Sequence, residues 1–200
     1  MPDSNKIAVV IPCYRVKDKV LDVIKKIGPE VWRIYIVDDC CPEESGKYIK
    51  ENCKDRRVQV LWNEVNLGVG GAVMTGYRKG LEENGKIFVK IDGDGQMDPS
   101  LLPQFVIPLL AGEADYTKGN RFYDFESLRQ MPRFRIFGNA VLSFMAKLST
   151  GYWDLFDPTN GYTAIHADTA RLLQFEKISK RFFFRDRYSF QTQSDQGSGG

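Results

Sequence analysis

The chain has 200 residues, of which 42% are hydrophobic and 27% charged, with a net charge of +2 and a pI near 8.3. Those figures fit one globular domain with a sizeable core, and they give the protein as a whole no bias toward nucleic acid. No apolar run reaches the roughly 18 residues that a spanning helix needs. The four cysteines, Cys13, Cys40, Cys41 and Cys53, form no CxxC pair and follow no secretory leader, so reduced thiols in a cytosolic compartment are expected.

Residues 7–11 are a continuous apolar run halted by Pro12, long enough for a buried strand and too short for a helix. Apolar residues at 16, 20, 21, 24 and 27 have helical spacing, closed by Gly28-Pro29. A second strand is expected over 32–37, ending in Asp38-Asp39, then a helix over 43–53 and a third strand over 58–62. The turn NLGVGG leads into a helix over 68–81, and a fourth strand over 87–91 runs straight into DGDGQ. Asp98-Pro99 opens a helix to about residue 110, and 114–118 is a further strand leading to Gly119-Asn120-Arg121. A long apolar helix is expected over 134–148, a short strand over 162–165 and a last helix over 168–175. The domain takes in residues 1–190, and the final QTQSDQGSGG (191–200) reads as a disordered tail or an expression remnant.

Strands alternating with helices at this rhythm imply βαβ units, a mostly parallel sheet and helices on both faces, an α/β domain. In such sheets ligands bind at the carboxyl ends of the strands. Here those ends carry Pro12-Cys13-Tyr14, Asp38-Asp39, Asn63 to Asn66, and Asp92-Gly93-Asp94. Asp92 and Asp94 are two apart on extended chain, so both carboxylates can face one side, and the glycines at 93 and 95 allow a ligand close approach. Hard oxygen ligands with positions left open suit Mg²⁺ or Mn²⁺ holding a diphosphate.

Other assignments fit less well. The DGDGQMDPSLLP stretch begins like a calcium loop, but its sixth residue is Met97 and its twelfth Pro103, where glycine and glutamate are needed. A plain Asp/Gly surface turn would not cap an apolar strand on an edge shared with other polar strand ends. The glycine turn at 66–71 misses the third glycine of a dinucleotide fingerprint and has no following GK[ST]. His166 is the only histidine, which rules out a histidine-based metal triad and reads as structural.

Six segments occur in a characteristic order: IPCY (11–14), VDD (37–39), NLGVGGAVMTGY (66–77), KIDGDGQMDP (90–99), KGNR (118–121) and DPTNGYTAI (157–165). Together they resemble family 2 glycosyltransferases of the Rossmann-like GT-A fold, in the branch of dolichol-phosphate mannose and polyprenyl-phosphate glucose synthases. The resemblance implies that Pro12 and Tyr14 line the base and ribose pocket and that Asp39 hydrogen-bonds the base or ribose. It places Asn66 and Gly68 to Gly71 beside that pocket, and Asp92, Gly93 and Asp94 at the metal and diphosphate, with Gln96 joining the metal site. Arg121, and Arg133 or Arg135, match basic positions that handle donor and acceptor phosphates; Asp157, with Thr159 and Gly161, matches an acceptor-side motif.

The resemblance further implies a hexose moved with inversion from a nucleotide-sugar of the GDP-mannose or UDP-glucose type to a polyprenyl phosphate, with Mn²⁺ or Mg²⁺. The residue types agree, because a metal and arginines stabilise a departing diphosphate, and a phosphate acceptor needs positioning more than a base. Residues 121–147 and 171–190 are net basic, by +3 and +4, and rich in aromatics. That pattern suits an anionic membrane surface and a lipid substrate, with a peripheral location at the cytoplasmic face, and equally a buried helix over 135–148 and a final strand over 177–188 with solvated ends. Rival readings are transfer to a glycan hydroxyl with Asp157 as base, a non-catalytic nucleotide-sugar module, and, furthest from the pattern, a nicotinamide oxidoreductase.

Overall fold

The structure is a computed structural model and describes residues 6–119 and 161–172. Four strands form the parallel part of one sheet: β1 (Ile7–Cys13), β2 (Val31–Asp38), β3 (Val58–Trp62) and β4 (Ile87–Lys90). Between them run α1 (Lys17–Lys25), α2 (Ser45–Asn52) and α3 (Gly68–Glu82). Beyond β4 come a 3₁₀ turn (Pro99–Leu101), α4 (Leu102–Leu110), β5 (Tyr116–Lys118), β6 (Thr163–His166) and α5 (Ala167–Leu172). The sheet order is β3-β2-β1-β4-β6-β5, with β6 antiparallel to both its neighbours.

Every residue of β1 is buried, as expected of a central strand covered on both faces. Its odd residues Ile7, Val9, Ile11 and Cys13 pack with Val20, Val23 and Ile24 of α1, Ile49 of α2 and Leu102 and Val106 of α4. Its even residues Ala8 and Val10 face Ala72, Val73, Met74 and Tyr77 of α3 and Ala167 and Ala170 of α5. The helix α3 lies close to the sheet because glycine stands where it crosses. A Cβ at Gly76 would collide with the Val10 side chain, and one at Gly80 with the Phe88 ring.

Several boundaries differ from the sequence expectation, each for a local reason. The strand β1 runs through Pro12 to Cys13 instead of stopping at Ile11. The Val10 carbonyl accepts from Ile91 on the β4 side and the Cys13 carbonyl from Asp39 on the β2 side. The missing Pro12 N–H therefore falls toward β4, beyond the last pair of that ladder, Val10 with Lys90. The helix expected from 98 begins as a 3₁₀ turn, with the Asp98 carboxylate accepting from Ser100 N at 3.0 Å, and becomes α-helical only at Leu102. The late strand shifts by one residue to 163–166, and α5 starts directly after it. The helix expected over 134–148 lies outside the described residues. Among the described residues no helix is long and apolar enough to cross a membrane.

Candidate active site

The loops that leave β1, β2, β3 and β4 meet at one edge of the sheet, and each contains a residue in the left-handed region. These are Arg15 (φ 56°), Cys40 (φ 55°) and Glu44 (φ 51°), Gly68 (φ 75°) where the β3 loop enters α3, and Gly95 (φ 75°). Arg15 and Cys40 hold a conformation costing a side-chain-bearing residue roughly 1–2 kcal/mol, the kind of local strain that collects at functional edges.

The pair at the end of β2 is divided by the pleat, since consecutive side chains point to opposite faces. Asp38 turns to the α1/α2 face. Its Oδ1 accepts from Cys41 N at 2.7 Å and its Oδ2 from Gly46 N at 2.6 Å, so it ties down the start of α2. Asp39 turns to the α3 face. Its Oδ1 accepts from Asn63 Nδ2 (2.7 Å) and Leu67 N (2.9 Å), and its Oδ2 from Gly68 N (2.7 Å). Asn63 is itself held by Thr75 Oγ1 at 2.9 Å. A carboxylate has about four acceptor positions, so Asp39 keeps one beyond its work in fixing the glycine turn.

A cavity of about 280 Å³ opens at this edge. Pro12, Cys13, Tyr14 and Val16 line it from the β1 loop, Asp39 from β2, Val69 and Ala72 from α3, and Asp92, Gly93 and Asp94 from the β4 loop. Tyr14 is 44% exposed, leaving much of its ring accessible to a ligand. A larger groove of about 720 Å³ lies between α2 and β3, beside Trp62, Lys47, Lys50, Glu44 and Glu51. It contains neither member of the Asp92/Asp94 pair.

The DGDGQ loop is held from both directions. Asp94 Oδ1 accepts from Gln96 N at 3.0 Å, closing a tight turn, and Asp92 N faces the Met97 sulfur at 3.3 Å. A Cβ at Gly93 would touch Val16 and Ile11 within 3.1–3.3 Å, so the loop packs on α1's approach. Asp92 Oδ1 lies 2.5 Å from Lys90 Nζ, the last residue of β4, whose side chain is only 7% exposed. Gly161 closes the other side: a Cβ there would strike Lys90 Nζ and come within 2.8 Å of Asp92 Oδ2.

The donor set fits a divalent cation of the hard, oxygen-preferring kind, because two carboxylate residues, Asp92 and Asp94, line one cavity. Among the described residues no three acidic, histidine or cysteine side chains gather as a complete cage. An oxygen-preferring ion such as Mg²⁺ is commonly held by one or two carboxylates and otherwise by a substrate's phosphates.

Burial, then the proximity of Asp38 and Cys41, pushes the Cys13 thiol far up, so it packs as a neutral group at the cavity wall. Burial also pushes the Cys41 thiol up, but hydrogen bonding with Ser45 and from the Arg15 amide outweighs it and leaves the group below its ordinary value.

Of the sequence-predicted residues, Pro12, Tyr14, Asp39, Asp92, Gly93 and Asp94 line the one cavity. Asn66 Oδ1 accepts from Gly68 N at 3.1 Å, and Gly71 packs on Leu67, so these positions shape the turn beside it. Gln96 is exposed and contributes its backbone amide to Asp94. Arg121, Arg133, Arg135, Asp157 and Thr159 lie outside the described residues. His166 pairs with Ile87 at the start of β4, the opposite edge of the sheet from the cavity. Lys90 and Asn63 had no assigned role in the sequence reading; the signal for Lys90 was a lysine inside the apolar run IFVKI.

The fold is that of a GT-A glycosyltransferase: glucosyl-3-phosphoglycerate synthase from Mycobacterium tuberculosis, solved with Mn²⁺, UDP and glucosyl-3-phosphoglycerate, superposes with a TM-score of 0.70 at 18% identity, over 96% of this chain and 67% of that one. The chain belongs to glycosyl transferase family 2, whose model matches residues 8–173. It is a glycosyltransferase. Similar proteins include a UDP-N-acetylglucosamine–dolichyl-phosphate N-acetylglucosaminyltransferase of Methanococcus voltae, 28% identical over 88% of this chain and 75% of that protein. An undecaprenyl-phosphate mannosyltransferase of Micrococcus luteus is 29% identical over 94% of this chain and 77% of its own length.

Proposed function

We propose that this enzyme transfers a hexose from a nucleoside-diphosphate sugar to a polyprenyl phosphate at the cytoplasmic face of a membrane, with Mn²⁺ or Mg²⁺. The observation that carries the reading is the convergence of Tyr14, Asp39, Asp92 and Asp94 on one cavity at the carboxyl edge of the sheet. The names of the relatives supply the acceptor class, dolichyl and undecaprenyl phosphate. The basic aromatic segments add the membrane surface.

In this reading Tyr14 and Pro12 bound the base end of the donor, and Asp39 fixes the glycine turn against it with one acceptor position left for the nucleotide. Asp92 and Asp94 hold the divalent ion, which when bound offsets charge developing on the departing diphosphate. The acceptor phosphate is already anionic, so arginine at 121 and at 133 or 135 orients it without a general base. Displacement from the face opposite the leaving group inverts the anomeric centre.

The test is nucleoside diphosphate release from a panel of UDP- and GDP-sugars, with Mn²⁺ or Mg²⁺, with and without a polyprenyl phosphate. Release is expected to need both the metal and the lipid phosphate and to vanish in Asp94→Ala. A second reading, transfer to a hydroxyl, has support in the structural neighbour solved with UDP-glucose and phosphoglyceric acid. It predicts that Asp157→Asn stops turnover with donor binding intact, whereas a phosphate acceptor makes Arg121 and Arg133 the sensitive positions. Release indifferent to the lipid phosphate would overturn the proposed acceptor.

A further inference from the structure

Lys90 stands where a charge is least expected, at the end of a buried strand between Val89 and Ile91, both fully buried. Its neighbours on the sheet are Val10 and Thr163. Continuing the antiparallel register of Lys90 with Thr163 brings Asp92 opposite Gly161. There the absence of a side chain on Gly161 leaves room for the ammonium and the Asp92 carboxylate to meet at 2.5 Å. Any larger residue at 161 would force the two apart. The pair is also unevenly buried: the lysine side chain is 7% exposed, but that of Asp92 is 31% exposed and lines the cavity.

We infer that Lys90 is a positioning residue of the metal and diphosphate site, a fixed internal cation that holds Asp92 and offsets its charge when no metal is bound. The inference rests on the proposed donor site and deepens it. A divalent ion approaching Asp92 meets a carboxylate already engaged by an ammonium, so metal binding alone is weakened. A nucleoside diphosphate approaching without metal meets less negative charge than two unpaired aspartates would present, so binding without metal is strengthened. Lys90 thereby loosens the dependence of donor binding on the metal.

The test uses the full chain and two readouts that do not depend on turnover: calorimetric titration with Mn²⁺ alone, and titration with UDP and GDP in EDTA. Lys90→Met keeps the apolar stem, and because Asp92 reaches the cavity, water can take over the lost partner. Lys90→Met is expected to bind Mn²⁺ about tenfold more tightly and the nucleotide in EDTA about tenfold more weakly, the size of effect that one unit charge a few ångströms from a divalent ion or a diphosphate has in a wet site. A lysine serving only the fold would lower the melting temperature and leave both affinities in place; that result overturns the inference. Should Lys90→Met fail to fold, Lys90→Gln carries the same two titrations, since it removes the charge and keeps a hydrogen-bond donor beside Asp92. If wild type binds neither Mn²⁺ nor nucleotide, the donor-site reading fails. If wild type binds both and the variants match it, only the role of Lys90 fails.

Discussion

Asp39→Asn separates two roles that the same carboxylate can have. The sequence resemblance assigns Asp39 to the nucleotide, whereas the structure engages it with Asn63 Nδ2, Leu67 N and Gly68 N. Asparagine keeps one acceptor oxygen, which can serve two of those donors, and turns an NH₂ toward the third. One charge-assisted hydrogen bond is lost and a donor is left facing a donor in a site that is 3% exposed, a cost of roughly 2–3 kcal/mol. For a chain of this size that lowers the melting temperature by about 5–10 °C. Asp39→Ala removes all three bonds and is expected to cost about 4–5 kcal/mol. The measurement is thermal unfolding of the ligand-free protein, followed by calorimetric nucleotide binding well below the transition. A melting temperature within about a degree of wild type, with nucleotide binding abolished, would refute the reasoning. It would mean that the turn holds itself and that the carboxylate is reserved for ligand.

Asp38→Ala is expected to cost about 2–4 kcal/mol in urea unfolding through loss of the bonds to Cys41 N and Gly46 N. The nucleotide affinity of the folded fraction should remain, because Asp38 is absent from the smaller cavity's lining. Gly76→Ala drives a methyl group into Val10 where α3 crosses β1, and should cost about 1–3 kcal/mol with an unchanged urea m value. Arg57 donates from Nη2 to Asp55 Oδ2 (2.8 Å) and to the Ile27 carbonyl (3.0 Å), linking the approach to β3 with the end of the α1 segment. The hydrogen bond from Arg57 holds the Asp55 carboxyl below its ordinary value of 3.8. A depressed carboxylate stabilises the fold above its unfolded value and loses that contribution as pH falls through the folded one. The stability gap between wild type and Arg57→Gln, read by urea unfolding, is therefore expected to narrow between pH 7 and about pH 3.

The parallel strands were legible because a strand covered on both faces must be apolar throughout, and runs such as IAVVI and WRIYIV leave little choice. The site edge was legible for a related reason: the runs end abruptly, the first in Pro12-Cys13-Tyr14 and the others in aspartate or asparagine. What each polar group does there was not legible. Adjacent Asp38 and Asp39 read alike in sequence, and only the pleat, together with the helix start waiting on each face, sends one to α2 and the other to α3. Pro12 read as a strand breaker because its N–H was assumed to be needed; the early end of the β4 ladder removes that need. Gly161 read as part of a distant motif, and its contact with Lys90 and Asp92 exists only because β6 folds back antiparallel to β4. Pairings between segments some 70 residues apart are the part of a fold that local pattern does not encode.

The four carboxylates that crowd this edge differ in what balances them, and that difference bears on how the site can hold an anion. Asp38 faces the Cys41 amide in the loop after β2 and the Gly46 amide at the start of α2, and Asp39 faces those at the start of α3 together with the Asn63 amide. Amides at a helix start stabilise negative charge through the helix dipole and through bonds that would otherwise be unmade. Asp92 faces the Lys90 ammonium, while Asp94, among the described residues, receives only the amide of its own turn. Among the described residues charge is therefore offset from the inside for three of the four, and Asp94 is the carboxylate whose charge most needs a partner from beyond them. A cation arriving with a diphosphate meets that need at the point where the cavity opens. The same ranking makes Asp94, rather than Asp92, the position where removing a carboxylate should weaken metal binding most.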